Sequence, residues 1–354
     1  MEMPHSSLRI VFETGSMGTK ADTPTAANGD LIVLSGSGTN ESPYRPDLVI
    51  LVAETTGSRD IVGRFDGLAA TNQNSSLEGT PTSAQMSVSF SGLTNSATYT
   101  VYAFANTQGY WTMHNGQAIS RSDLTDNSKI ATATDIEGLK FQPDPDEGDL
   151  DAYNCMAVKE SRLPLSATGS VTLSSGGNGE ISLQLLRCVA KVTARFENQY
   201  GSDLKLYEFS NSFVNMRPAS GYVIPRSGVE DFAEVPLNTI DDDLIASETD
   251  PLSILNGGVV EKSWYVFPSI GPYTCDVSFY LASRTDNQDP TYNPAAEIHS
   301  FSDLQVHDDH ARDISQLARN QHLTITTRIG KGKSVSFNFE VSDWDGKTET
   351  ITFN

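Results

Sequence analysis

Apolar and polar residues alternate with a period of two along most of the chain. Near its start Leu8, Ile10 and Phe12 share one face, with Arg9, Val11 and Glu13 between them. Successive side chains of a strand leave opposite faces of the pleat, so this pattern predicts a half-buried strand. A stretch rich in Gly, Ser, Thr and Pro follows from Gly15 to Pro46, and its one apolar run, Leu31 to Leu34, predicts a short strand. Leu48-Val49-Ile50-Leu51-Val52 is apolar at every position and predicts a strand covered on both faces. Met86, Val88 and Phe90 alternate with Ser87 and Ser89; the turn Thr94-Asn95-Ser96 and the run Thr98 to Phe104 come next, which predicts a hairpin. Short helical turns fit around Ile119 to Ile130.

Pro143 to Asp149 reads as a loop, and Gly169 to Gly179 reads as either a tight hairpin turn or a connector. Alternation then resumes in Ile181, Leu183 and Leu185, and in Cys188, Ala190, Val192, Ala194 and Phe196. Further strands are expected at Trp264 to Phe267, Cys275 to Leu281, Leu323 to Ile329, Val335 to Val341 and Ile351 to Phe353, with one short helix at Asp313 to Arg319. Many alternating strands and few helices predict an all-β chain of antiparallel sandwiches. At roughly 150 residues per domain, 354 residues suggest two domains. The expected division is residues 1–20 with the N-terminal strand, a 21–170 sandwich and a 171–354 sandwich.

Charge narrows the partners. Lys and Arg number 24 against 45 Asp and Glu, a net charge of −21. Such a chain repels phosphate backbones, so nucleic acid is excluded as a partner, and an anionic membrane surface fits no better. No run of 18 apolar residues is present, and Met1-Glu2-Met3-Pro4 does not read as a secretory start. Cys155, Cys188 and Cys275 form no close-spaced motif; Cys188 and Cys275 sit in apolar alternation and read as buried thiols.

The search for chemistry yields no complete site. Gly-x-Ser-x-Gly and His-Glu-x-x-His are absent, and Gly330-Lys331-Gly332-Lys333 lacks the phosphate-loop spacing and reads as a hairpin turn. His307-Asp308-Asp309-His310 is the most metal-like cluster but has no third ligand beside it, and a solvated acidic loop is the plainer reading. Asp144, Asp146, Asp149 and Asp151 resemble a calcium loop, yet Pro145 intrudes and Cys155 stands where the last carboxylate belongs. Asp241 to Asp243 carries less still. Nothing singles out one carboxylate pair among 45 acids. The expectation is a non-enzyme with no metal or organic cofactor.

Four segments together resemble the fimbrillin family, the FimA-type pilins of Bacteroidia. Ala97 to Asn106 is similar to the family's strand ending in Ala-Asn. Leu186-Arg187-Cys188-Val189-Ala190-Lys191-Val192 is similar to its Arg-x-x-Ala-[Lys/Arg] strand. Ala318 to Ile325 resembles its Arg-Asn-x-x-Tyr-x-[Ile/Leu] strand, with Leu323 in place of the aromatic, and Phe339 to Trp344 resembles its closing Val-x-x-Trp segment. Trp264 to Pro268 stands where the family often has an aromatic strand ending in Glu-Asn.

The resemblance implies two tandem transthyretin-like Greek-key sandwiches and a type V pilus subunit. It also implies export as an outer-membrane lipoprotein precursor acylated on a Cys upstream of this sequence. A trypsin-like maturation protease would then remove an N-terminal strand after Lys or Arg, and a strand of another pilin subunit would fill the vacated groove. Carried onto this chain, residues 1–20 are the pro-segment, the exchanged strand holds Leu8, Ile10 and Phe12, and the cut falls between Lys20 and Ala21, in a stretch whose composition reads as exposed. The plainer reading of residues 8–13 is an edge strand that never leaves. The C-terminal strand with Ile351 and Phe353 is the candidate donor, being terminal and alternating. A competing expectation is a surface lipoprotein or pilus-tip adhesin that binds glycans, host protein or other ligands on host or bacterial surfaces without polymerising, with Tyr110 and Trp111 as candidate sugar-stacking aromatics, though a buried hairpin aromatic is the plainer reading of them.

Overall fold

Strands dominate the computed structural model, which describes residues 6–14, 32–39, 41–82, 85–107, 110–143, 163–218, 220–226, 237–242, 252–283, 298–307 and 313–343. In chain order the first strands are β1 (Ser7–Thr14), β2 (Leu34–Ser35), β3 (Arg45–Pro46), β4 (Leu48–Glu54), β5 (Ile61–Asp66), β6 (Ser75–Glu78), β7 (Gln85–Ser91) and β8 (Thr98–Ala105). Next come β9 (Tyr110–His114), β10 (Gln117–Ile119), the helices α1 (Arg121–Leu124) and α2 (Ala133–Glu137), β11 (Lys140–Pro143), β12 (Leu165–Thr172) and β13 (Asn178–Arg187). The remainder are β14 (Ala190–Asn198), β15 (Leu204–Pro218), β16 (Gly221–Tyr222), β17 (Leu237–Asp242), β18 (Leu252–Ile254), β19 (Val259–Val266), β20 (Ser269–Ile270) and β21 (Thr274–Ser283). The last are β22 (Ile298–Gln305), β23 (Gln316–Leu317), β24 (Gln321–Ile329) and β25 (Val335–Asp343).

The chain forms two units. The first draws on Met1–Leu150, Val158–Cys188 and Ser220–Ala233; the second on Asp151–Ala157, Val189–Ala219 and Glu234–Asn354. The expected division at 170/171 is corrected: β12 and β13 lie in the first unit, and the chain leaves it after Cys188. The reason is pairing. β12 runs beside β8 from Leu165 to Thr172, and β13 runs beside β1 from Asn178 to Leu185. Of the two readings of Gly169 to Gly179 the turn holds, since Ser174 accepts from Gly177 N at 2.9 Å between these strands.

In the first unit the strand order is β5-β4-β8-β12-β13-β1-β7-β6. β12 and β13 pair only at Leu165↔Arg187 and Ser166↔Leu186. There the sheet folds over, and its halves enclose a core that includes Ile10, Phe12, Ile50, Val52, Val88, Phe90 and Val101. Two glycines mark the close approach. A Cβ on Gly63 would lie 2.9 Å from Phe90 Cδ1 and 3.1 Å from Val52 Cβ; one on Gly169 would lie 2.7 Å from Leu183 Cδ2. Gly63→Ala is therefore expected to overpack the core at a cost of about 1–3 kcal/mol. Thermal unfolding checks this, at a few degrees per kcal/mol; an unchanged melting temperature would contradict it.

β4 is buried along Leu48 to Ala53, as its unbroken apolar run predicts. The outer side of β8 meets a further layer. Phe104 packs edge-on against Phe141 at 6.4 Å, and the Tyr102 hydroxyl donates to Glu137 at 2.7 Å. Capping boxes at Ser120 and Thr132 start the two helices, the first within the predicted stretch of helical turns and the second just beyond it.

The predicted β7–β8 hairpin is not formed. β7 pairs with β1 and β6, while β8 pairs with β4 and β12. The turn carries the chain across the core instead, and the Tyr99 hydroxyl fastens it by accepting from Thr94 N at 2.8 Å. The expectation of purely antiparallel sheets is also corrected, because β1 runs parallel to β13 and β14 parallel to β24.

The second unit packs the sheet β19-β14-β24-β25 on β17-β15-β21-β22. Phe196 meets Phe209 and Phe279 edge-on at 5.5 and 5.3 Å. Cys188 and Cys275 are buried, and burial pushes the Cys275 thiol up to about 12. The helix expected at Asp313 to Arg319 is absent: Asp313 bridges His307, Ile314 N donates to Val306 at 3.0 Å, and β23 pairs with β20. Buried Leu317 gains its partners from that pairing, which overrides local helix propensity. Gly330 to Lys333 forms the turn between β24 and β25.

Candidate assembly groove

β1 lies inside the first unit's sheet. It pairs antiparallel with β7 (Leu8↔Phe90, Ile10↔Val88, Phe12↔Met86) and parallel with β13 (Leu8↔Gly179, Ile10↔Ile181, Phe12↔Leu183). The edge-strand reading of residues 8–13 is thereby corrected. Leu8, Ile10 and Phe12 are each 0% exposed, so the structure brings these three predicted residues together in one core. Taking β1 out would leave unpaired backbone on two neighbours and an apolar slot between them.

The outer face of β1 carries a polar clamp. Arg9 Nε donates to Glu78 at 2.9 Å, its Nη1 to Glu180 at 2.8 Å and its Nη2 to Ser87 at 3.1 Å. The Ser89 hydroxyl also donates to Glu78. The Ser89 and Arg9 hydrogen bonds hold the Glu78 carboxyl below the usual carboxylate range. A depressed carboxylate contributes its stabilisation above its unfolded pKa and loses it as pH falls through the folded value, so acid loosens this clamp. At the strand's start the Ser6 hydroxyl donates to Leu93 O, and Ser7 N donates to Gly177 O at 2.9 Å.

Ile32, at the start of the next described stretch, is fully buried. Asn106 Oδ1 accepts from Val33 N at 2.8 Å while its Nδ2 donates to Leu163 O at 2.9 Å. Asn106 is the Asn of the Ala-Asn resemblance, and its φ of 58° suits a residue type that tolerates the left-handed region.

Other predicted positions stand apart. Lys20, Ala21, Ile351, Phe353 and the acidic loop of Asp144, Asp146, Asp149 and Asp151 lie outside the described residues. So do Asp308 to His310; the His307 ring stands edge-on to Phe339 at 5.4 Å. Among the described residues no group of three or more His, Cys, Asp or Glu is placed to hold a metal ion. Tyr110 and Trp111 lie in β9, opposite Pro143 and Gln142 of β11. Among the described residues no helix is long and apolar enough to cross a membrane. Sequence reasoning missed the clamp, because Glu78 and Glu180 lie 69 and 171 positions from Arg9. Its one local signal is a cation set between Leu8 and Ile10.

No protein-family model matches the sequence, and no curated protein matches it. Solved structures do. A candidate cell adhesion protein from Bacteroides eggerthii aligns with a TM-score of 0.55 at 12% identity, over 96% of this chain and 96% of that one. The chain shares that adhesion protein's fold. A candidate adhesin from Bacteroides thetaiotaomicron aligns over 100% of this chain and 99% of its own, with a TM-score of 0.43 at 8% identity. A fimbrial protein from Bacteroides ovatus aligns over 94% of this chain and 49% of its own, with a TM-score of 0.25 at 7% identity.

Proposed function

We propose that this protein is a structural subunit of a cell-surface pilus that serves adhesion, exported as an outer-membrane lipoprotein precursor and assembled by strand exchange. The observation that carries the reading is the place of β1. The first described strand of the chain fills the interior of a sheet, with its three apolar residues fully buried. It connects to the body through residues 15–31, which include Lys20. One cut there severs the covalent link and leaves β1 held by non-covalent contacts alone.

In this scheme a trypsin-like protease cuts after Lys20, β1 departs, and a strand of another subunit takes its place by β-augmentation. The segment around Ile351 and Phe353 is the strand this subunit would donate onward. The body stays intact through the exchange because Asn106 holds Val33 and the core holds Ile32.

The expected outcome is that trypsin trims the parent chain and produces polymer ladders. Lys20→Ala should retain β1 and remain monomeric under the same treatment. Mass spectrometry of the released peptide and electron microscopy of the product read both arms. A trimmed parent that stays a stable monomer at high concentration with its groove empty would overturn the scheme in favour of a non-polymerising surface adhesin.

A further inference from the structure

We propose that the β1 groove is read by charge as well as by shape, and that the strand replacing β1 carries an arginine between its first two buried apolar residues. This rests on the strand-exchange reading and names the chemistry of the partner. Apolar alternation alone does not fix the register of an incoming strand. A one-residue slip turns the apolar set outward, but a two-residue slip restores it to the core. Something on the outer face must distinguish those registers.

The Arg9 clamp does so. With β1 absent, Glu180 remains on β13 at one side of the gap and Glu78 on β6, one strand beyond β7 at the other, three interstrand spacings or about 14 Å apart along the sheet. That backbone separation exceeds the Debye length of about 8 Å at physiological salt, so the two carboxylates act on an entering cation within reach of both side chains rather than on each other. The chain around them has a net charge of −21. In the filled groove one guanidinium serves both carboxylates and the Ser87 hydroxyl through three different nitrogens. Arginine's planar fork can do this at once, whereas a lysine ammonium is a single point donor. The partner strand therefore reads apolar–Arg–apolar–any–apolar in the direction parallel to β13. This chain's own C-terminal segment has Thr352 between Ile351 and Phe353. It presents a hydroxyl where the groove holds two carboxylates, so a subunit bearing the arginine outcompetes it.

The test uses the full chain nicked by trypsin and three fluorescent peptides: Ser7–Thr14, the same peptide carrying Arg9→Gln, and Thr348–Asn354. Anisotropy follows their entry into the groove. The Ser7–Thr14 peptide is expected to bind about three- to tenfold more tightly than the other two, as two solvent-screened ion pairs allow. In the Glu78→Gln, Glu180→Gln double variant the preference over the Arg9→Gln peptide should vanish, and in the parent it should shrink at high salt. Equal entry of all three peptides would overturn the charge reading and leave strand exchange standing. Entry of none, with β1 still bound after nicking, would overturn the exchange reading and this inference with it.

Discussion

Phe12→Ala is expected to lower the stability of the first unit by about 3–5 kcal/mol, the cost of removing a fully buried phenylalanine. Phe12 is 0% exposed, between Met86 of β7 and Leu183 of β13. The surrounding sheets are held in register by backbone pairing on both sides, so the site has little freedom to collapse and the cavity persists. A loss of this size is a large share of the roughly 5–15 kcal/mol that stabilises an ordinary domain. Arg9→Ala, on the outer face of the same strand, removes only exposed, solvent-screened ion pairs and should cost far less. Urea unfolding with hydrogen exchange read by mass spectrometry assigns each loss to its unit, which a two-unit chain requires. Near-equal effects of the two substitutions would mean that β1 does not contribute its inner face to the core. Under the exchange reading Phe12→Ala should also hasten the departure of β1 from the nicked chain, since the same contacts hold it there.

The alternation that predicts strands records which side chains face a core, and says nothing of which strand lies alongside. Met86 to Phe90 and Thr98 to Phe104 show the difference. Both were legible as strands, and both point into one core, yet they occupy opposite halves of the folded sheet. A short turn between two alternating runs suits a hairpin and a cross-core arch equally well. β1 was legible for the same reason, while its interior position was not. Arg9 on its outer face looks like the charge that blunts an edge strand, and only the fold brings Glu78 and Glu180 to it. Leu48 to Val52 was the clearer case, because an unbroken apolar run requires cover on both faces. The unit boundary was hidden by the Gly-rich turn between β12 and β13, which breaks composition without breaking the sheet. Long-range pairing decided each of these features, and local sequence does not encode it.

Asn198→Asp is expected to be among the most damaging single-atom-scale changes in the second unit, costing about 4 kcal/mol or more at neutral pH, in the tail reached by buried unpaired charges. Asn198 ends β14 and is 0% exposed. Its Nδ2 donates to Ser202 O at 2.9 Å, Ile254 O at 3.0 Å and Leu255 O at 3.1 Å, while its Oδ1 accepts from Tyr200 N at 3.0 Å. The same residue's backbone N–H donates to Gly258 O and its carbonyl accepts from Gly257 N, so side chain and backbone of one residue together tie the β18–β19 turn to the end of β14. An aspartate keeps the acceptor and loses the donor. It sets a carboxylate, at a side chain that is 0% exposed, against three carbonyl oxygens, and buried charge of this kind titrates upward. The sign of the pH effect follows. A folded-state pKa raised above the unfolded value means that the native variant binds the extra proton, so its deficit is largest above the folded pKa and shrinks as pH falls toward the unfolded one. The protonated acid can also donate to one of the three carbonyls. Asn198→Ala is the control: it removes the same donor without a charge and should cost about 1–3 kcal/mol for each carbonyl left unsatisfied, with no pH dependence of its own. Urea midpoints of parent, Asp and Ala forms at pH 5 and pH 7.5 decide the matter. The gap between Asp and parent should narrow at the lower pH while the gap between Ala and parent holds steady; if both gaps move together, the carboxylate is solvated and Asn198 is not the enclosed tie that its hydrogen bonds describe.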